Sequence, residues 1–146
     1  MSSALERLKN LASDLPAKIA SYEIARKENL NRLRKLYEEL HIDEKTARFE
    51  DIFEFKAINL SGVSLDSATL GAIKPKRYVQ IIAISYDGSA AVKNKNSSLG
   101  YFGRAEKLDE RLKKRIVSFI LSWRFEKSFR TLEHYHNMLG ALQKDA

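Results

Sequence analysis

The sequence predicts an α+β protein with N-terminal helices, a short antiparallel sheet with a central hairpin, and a long C-terminal helical segment. Apolar residues recur at helical spacing near both ends of the chain, a β-branched run occupies its middle, and an Asp-Gly pair follows that run. We expect one domain over residues 1–146, with a helical part at 1–45, a β-rich part at 46–103 and a helical part at 104–146.

The N-terminal part is predicted to hold two helices. Ser3 and Glu6 have the spacing of a capping box, which predicts a first helix that begins after Ser3. Pro16 interrupts the apolar repeat, because proline fits the first turn of a helix and disfavours helical geometry in the residue before it. A second helix is therefore expected over residues 16–41.

The pattern within this second helix predicts how it packs. Arg26 and Asn29 stand where a heptad repeat would have apolar residues, so packing on the protein's own core is favoured over a long dimeric coiled coil. A homodimer through the 16–41 helix stays open as an alternative. The apolar positions are Ile19, Leu30, Leu33, Leu36, Tyr37 and Leu40.

The middle of the chain predicts the sheet. Residues 46–60 are rich in phenylalanine and predict a strand entered through a short turn, although the spacing of Phe49 and Phe53 also fits one helical turn. The clearest strand runs from Tyr78 to Ser85, where β-branched residues indicate burial on both faces and a central place in the sheet.

A hairpin is predicted to follow the central strand. Asp87 and Gly88 form a type I′ turn signal, and residues 90–93 are the expected returning strand. Residues 94–98 are polar and predict a loop, and residues 100–103 (Gly-Tyr-Phe-Gly) close the β-rich part.

Helical spacing resumes at Arg104. Nearly every helix face is apolar between Ile116 and Leu121, which predicts the buried centre of the molecule. The helix is then either surrounded by protein or bent near Ser122 into two packed helices. One apolar stripe is Leu108, Leu112, Ile116, Phe119 and Trp123; a second stripe is Leu121, Phe125, Phe129 and Leu132; the last apolar set is Tyr135, Met138, Leu139 and Leu142.

Composition excludes several classes of protein. The chain has no cysteine, which excludes disulfide scaffolds, thiol catalysis, Fe–S clusters and cysteine zinc sites. No apolar run approaches the roughly 20 residues that a membrane helix needs, and the N-terminus lacks a signal-peptide pattern. We therefore expect a soluble, cytoplasmic protein without a membrane partner.

The sequence contains no catalytic pattern that we can identify. A phosphate-binding Gly-rich loop ending in Lys-Ser/Thr and a Gly-x-Ser-x-Gly nucleophile elbow are both absent from it. His134 and His136 are two residues apart in a predicted helix and therefore point in different directions. We expect a protein that is not an enzyme and needs no cofactor and no metal.

The positive charge is concentrated in the second half of the chain. The formal net charge is +7, but residues 74–130 contain 14 basic and 5 acidic residues. A field concentrated on one region attracts polyanions better than the same charge spread over a surface. Solubility alone is the alternative explanation for this excess.

Two basic segments in this region also contain tyrosines. Cations can neutralise phosphates while a tyrosine ring stacks on an unpaired base. Basic residues at helical spacing from Arg104, next to backbone amides freed by Gly103, predict a further anion site. The candidate binding residues are Lys74, Lys76, Arg77, Tyr78, Lys93, Lys95, Tyr101, Arg104, Lys107 and Arg111.

These features predict a non-enzymatic protein that binds DNA or RNA, or assists a nucleic-acid complex, through phosphate contacts without sequence preference. The alternative is a protein-interaction module, such as a small inhibitor or assembly factor, that binds a protein partner, whether or not that partner itself handles nucleic acid. The nucleic-acid hypothesis requires the basic side chains to meet on one surface, whereas the interaction hypothesis depends on the amphipathic helix from Ile19 to Leu40 and on the aromatic content.

Overall fold

The computed structural model describes residues 3–86 and 94–144, apart from the side chains of residues 8–21. The chain forms two long helices, α1 and α2, and a three-stranded sheet in the chain order α1, β1, β2, β3, α2. The predicted α+β class, with its antiparallel sheet and long C-terminal helix, is confirmed. The bounds are α1 Ala4–Glu39, β1 Ala57–Ser61, β2 Tyr78–Tyr86, β3 Asn94–Arg104 and α2 Glu110–Lys144. None of the helices in these described ranges has the length and apolar character that crossing a membrane requires.

Helix α1 begins with the predicted capping box. The Ser3 hydroxyl accepts a hydrogen bond from the Glu6 backbone N–H, and the Glu6 carboxylate accepts one from the Ser3 backbone N–H. The prediction of a second helix starting at Pro16 is wrong, because one helix continues to Glu39. Proline removes a single backbone donor, and good helix formers on both sides allow cooperative helix formation to continue past it.

The C-terminal half of α1 packs against the core. Leu33, Leu36, Tyr37 and Leu40 are buried, as their helical spacing predicts. Their side chains form one continuous cluster with buried residues of the sheet and of α2. The face of α1 that carries Leu33, Leu36, Tyr37 and Leu40 is therefore occupied by the protein's own core.

The phenylalanine-rich segment forms a short 3₁₀ helix over Phe49–Glu54, and strand β1 follows it. The helical interpretation of the spacing between Phe49 and Phe53 is therefore correct, and the strand is confined to the end of the predicted range. Trp123 of α2 fixes the 3₁₀ helix to the core, because its indole N–H donates to the Ile52 carbonyl over 2.8 Å. Phe49 and Phe53 pack edge to face with ring centroids 5.7 Å apart.

Strand β2 is the central strand of the sheet, as its apolar run predicts. It pairs antiparallel with β1 on one side and with β3 on the other. Val79, Ile81 and Ala83 are buried beneath the helices. Because side chains alternate across a strand, the residues between them point to the opposite face of the sheet. Ile82 and Ile84 are only half-buried on that face, so the prediction of burial on both faces is wrong.

Strand β3 differs from the prediction. Asn94 to Ser98 belong to this strand and pair with β2, so the prediction of a polar loop is wrong. These residues are polar because they lie at the sheet edge, where most of them are exposed. The expected Asp87-Gly88 turn and the strand at residues 90–93, including Lys93, lie outside the described residues.

Helix α2 begins later than predicted. Arg104 ends β3, a 3₁₀ turn over Ala105–Lys107 follows, and the helix starts at Glu110. The Asp109 carboxylate caps it by accepting from the backbone N–H groups of Arg111 and Leu112. The predictions of a basic helical stripe that begins at Arg104 and of an anion site beside Gly103 are therefore wrong, because both residues belong to strand β3.

From Glu110 to Lys144, α2 is continuous, so the interpretation with a bend near Ser122 is wrong. Ile116, Phe119 and Ile120 are fully buried, which confirms this stretch as the centre of the core. Leu121 is partly exposed. One face of the helix therefore remains outside the core even at its most apolar turn.

Candidate nucleic-acid interface

A tight turn delivers the first basic cluster to the start of β2. The Arg77 N–H donates to the Lys74 carbonyl over 3.2 Å, which closes a four-residue turn with Pro75 at its second position. Lys76, at the third position, has a φ of +68°, which is the left-handed conformation that a type II turn requires. Glycine or asparagine usually occupies this position, so Lys76 adopts a strained backbone.

The sheet holds this turn in place from both sides. The Lys74 N–H donates to the Gly62 carbonyl over 2.9 Å, just after β1, and the Arg77 carbonyl accepts from the Ala105 N–H over 2.8 Å. Gly62 has a φ of +85°, and a Cβ there would lie 2.7 Å from the Tyr78 carbonyl oxygen. Only glycine permits this close approach between the end of β1 and the start of β2.

Two tyrosines lie side by side where β2 begins and β3 ends. Tyr78 and Tyr101 are 56% and 60% exposed, and their ring centroids are 5.9 Å apart at an interplanar angle of 34°. Tyr78 pairs with Arg104 in the ladder, and Tyr101 pairs with Gln80. The two rings therefore form a solvent-facing aromatic surface on the sheet.

Glu106 links the turn to the end of β3. Its carboxylate accepts from the Lys76 backbone N–H over 3.0 Å and pairs with the Arg104 guanidinium, with Nε and Oε1 2.7 Å apart. Hydrogen bonds from its own backbone N–H and from that of Lys76, together with the charge of Arg104, lower the pKa of Glu106. The ionised carboxylate holds the turn but also neutralises part of the charge of Arg104.

We call this group the basic tyrosine patch and define it by six of the ten predicted residues: Lys74, Lys76, Arg77, Tyr78, Tyr101 and Arg104. All six are exposed. Among the ion pairs of the described residues, only the one between Arg104 and Glu106 involves the patch. Lys107 is exposed in the 3₁₀ turn that follows directly.

The remaining predicted residues lie elsewhere. Lys95 pairs with Ser85 near the opposite end of the sheet, nine strand positions from Arg104 and thus about 30 Å away. Arg111 is exposed on the first turn of α2. The prediction that all these cations share one surface is therefore wrong for Lys95, and Lys93 lies outside the described residues.

The sheet face that carries the two tyrosines extends beyond the predicted site residues. Gln80, Ile82 and Ile84 are half-buried, and Tyr86 is 64% exposed at the far end of β2. The sequence does indicate that these residues share a face with Tyr78, because they follow it at every second position of the strand. The face is an open sheet surface with aromatic rings near both ends.

The histidines and carboxylates of the described residues form no metal site. Among the side chains that the structure describes, in residues 3–7, 22–86 and 94–144, no group of three His, Asp or Glu is placed to hold a metal ion. His41, His134 and His136 are exposed. The basic tyrosine patch is thus the feature whose chemistry can be read most directly: cations for phosphate oxygens and flat rings for bases.

No family model matches the chain, and comparisons with curated proteins and with solved structures find no match.

Proposed function

We propose that this protein is a non-enzymatic binder of single-stranded nucleic acid and that the basic tyrosine patch is its binding site. The observation that supports this proposal most strongly is the exposed pair of Tyr78 and Tyr101 on an open sheet face, with cations at its border. A duplex hides its base faces, whereas a single strand offers them for stacking.

The cations give the affinity that does not depend on sequence. Lys74, Lys76 and Arg77 project from one turn, so successive phosphates of a strand can follow them toward the tyrosines. About four phosphate contacts on single-stranded nucleic acid give a slope near −3 for the logarithm of affinity against the logarithm of salt concentration. Affinity should therefore fall roughly 60-fold between about 50 and 200 mM salt.

The tyrosines give the preference for unpaired bases. Each base stacked on an aromatic side chain contributes about 1–3 kcal/mol, as measured by alanine substitution. A competing explanation is that the two rings only stabilise the sheet as a cross-strand pair, which contributes roughly 0.2–1 kcal/mol. Removing the rings should lower the affinity for a single strand under the first explanation, and only the stability of the sheet under the second.

The test is fluorescence anisotropy with a labelled 12-nucleotide single strand, as DNA and as RNA, and a blunt duplex of the same length. Tyr78→Ala and Tyr101→Ala should each weaken single-strand binding about 10-fold and leave duplex binding nearly unchanged. Tyr22→Ala is the matched control, because Tyr22 is equally exposed but lies on α1.

Charge reversal tests the phosphate contribution. The double variant Lys76→Glu with Arg77→Glu should abolish measurable binding of the single strand and leave the melting temperature within a few degrees. Binding that is unaffected by this variant, or wild-type affinity that does not change between 50 and 200 mM salt, would contradict the proposal.

A further inference from the structure

A second surface feature of the molecule is an exposed apolar stripe along α2. Its spacings alternate between four and three residues, which is the heptad pattern of helices that pack along their length. The stripe consists of Leu121, Phe125, Ser128, Leu132, Tyr135, Leu139 and Leu142. Its six large side chains are between 39% and 69% exposed.

The stripe lies on the side of α2 opposite the ion pairs that hold this helix to the rest of the protein, and its N-terminal end borders a groove shared with α1. Glu126 and Arg130 mark the opposite side, because Glu126 pairs with Arg26 of α1 and with Arg130. At about 100° per residue, helix geometry separates these two residues from the centre of the stripe by roughly 130° to 170°. The packing of α2 on the protein's own core therefore leaves the stripe uncovered.

The exposed area is close to what a stable interface needs. The six large side chains, together with Met138 beside them at 53% exposure, add up to roughly 600–700 Å² per chain if each presents about 150–200 Å² when free. A standard protein interface buries about 800 Å² on each partner. Monomers rarely leave an apolar patch of this size in water.

The N-terminal end of the stripe forms one wall of a groove. A cavity of about 680 Å³ lies between α1, α2 and the connection from β1 to β2, and Leu121 and Phe125 face it together with Leu70. The other end of the stripe, from Leu132 to Leu142, continues along the exposed end of α2. One chain thus has an apolar groove at one end of the surface and an apolar helix at the other.

We propose that a second copy of this chain covers the stripe, with the two α2 helices antiparallel around a two-fold axis near Ser128. This arrangement places the Leu132–Leu142 segment of each copy against the groove of the other. Ser128 is the one small residue of the stripe, which allows the helices to approach closely where they cross. Its hydroxyl already donates to the Arg124 carbonyl over 2.8 Å, so covering it leaves no unpaired donor.

The oligomeric state tests this proposal independently of nucleic-acid binding. Sedimentation equilibrium of the wild type should give a dimer. Leu139→Glu should raise the dimer dissociation constant about 100-fold, because it places a charge in an apolar interface. Asn137→Glu adds the same charge to the same turn of α2 outside the stripe and should leave the dimer intact. Circular dichroism checks that both variants keep the helical content of the wild type.

Cysteine cross-linking tests the orientation of the helices. The chain has no native cysteine, so each introduced thiol is unique. Ser128→Cys should form a disulfide-linked dimer on mild oxidation, whereas Leu142→Cys should not, because residue 142 is 14 residues or about 21 Å from the axis in each copy.

A monomeric wild type would overturn the proposal, as would a dimer that survives Leu139→Glu. Cross-linking at both cysteine positions would indicate parallel helices and overturn the antiparallel arrangement. A monomer whose stripe is covered by a different protein, or by the N-terminal half of its own α1, would give the same monomeric result and therefore also overturn it.

Discussion

Arg26 of α1 and Glu126 of α2 form a two-point ion pair across the antiparallel helices. Nε donates to Oε1 over 2.8 Å and Nη2 donates to Oε2 over 3.0 Å, while the Glu126 side chain is 1% exposed. Arg130 donates to the same carboxylate over 2.9 Å. With the Asn29 amide donating to the Ser122 carbonyl over 2.9 Å, this pair sets how α1 and α2 lie against each other.

Removing the buried charge should destabilise the fold. Glu126→Gln should lower the free energy of unfolding by about 3 kcal/mol at pH 7, because it leaves two guanidinium groups facing a neutral partner. Glu133→Gln is the matched control: Glu133 also pairs with Arg26 but is 58% exposed, so its loss should cost under about 1 kcal/mol. Urea unfolding of both variants measures the difference, and equal losses would contradict this role for Glu126.

The stability that is lost in Glu126→Gln should depend on pH. Burial raises the pKa of Glu126, but the hydrogen bonds from Arg26 and Arg130 outweigh burial and hold that pKa below its ordinary value. A lowered folded-state pKa stabilises the protein above the unfolded pKa of about 4.3 and loses that effect as the pH falls through the folded value. The stability gap between the wild type and Glu126→Gln should therefore narrow in acid.

Gly62 and Gly71 have nearly the same positive φ but different surroundings. Replacing each of them by alanine therefore separates the cost of backbone strain from the cost of a steric clash. Gly62→Ala should lower the free energy of unfolding by about 2–3 kcal/mol, since the new Cβ meets the Tyr78 carbonyl oxygen at 2.7 Å. Gly71, with a φ of +82°, has no atom within 4 Å of a Cβ, so Gly71→Ala should cost only about 1 kcal/mol of strain. Urea unfolding measures both, and similar losses at the two sites would show that the Gly62 contact is unimportant.

Lys76 allows binding to be separated from stability. Lys76→Gly removes the strain of a φ of +68° and should leave stability unchanged or raise it by up to about 1 kcal/mol. The same change removes one cation, so single-strand affinity should fall several-fold and the salt slope should flatten by about 0.7. Thermal melts and anisotropy at four salt concentrations measure the two effects. Unchanged affinity would exclude Lys76 from the binding site.

Glu106 offers a variant that should bind more tightly. Glu106→Gln keeps an acceptor for the Lys76 N–H but releases Arg104 from its ion pair, so affinity for a single strand should rise about 3- to 10-fold at low salt. Glu110→Gln is the control for net charge, because Glu110 pairs with Lys113 on α2. Anisotropy compares the two variants. An equal rise in both would indicate that only the overall charge matters.

The sequence predicts the core better than it predicts the boundaries. The β-branched run predicts β2 as the central strand, and the apolar stretch around Ile116 predicts the centre of the core, but one face of β2 stays open, with Ile82 and Ile84 half-buried. Arg104, Lys107 and Arg111 have helical spacing in the sequence, but they lie in β3, in a 3₁₀ turn and in α2. Only the pairing of Arg104 with Tyr78 in the sheet distinguishes a strand end from a helix start at this point.

The roles of the polar residues Arg26 and Asn29 in α1 also depend on tertiary contacts. Arg26 and Asn29 look like defects in an apolar repeat because their partners, Glu126 and Ser122, are about a hundred residues away. Spatial pairs of this kind cannot be derived from one sequence. The sequence shows that the turn from Lys74 to Arg77 is basic. The strained backbone of Lys76 and the hydrogen bond from its N–H to Glu106 depend on the position of this turn beside β3 and the segment that follows it.

Nuclear magnetic resonance of the protein with isotope-labelled tyrosine rings tests the central claim most directly, by titration with a 12-nucleotide single strand at low salt. The signals of Tyr78 and Tyr101 should move upfield together as bases stack on them, and the signal of Tyr22 should stay in place. Binding that leaves both rings unshifted, or no binding at all, would contradict the assignment of the patch as a nucleic-acid site.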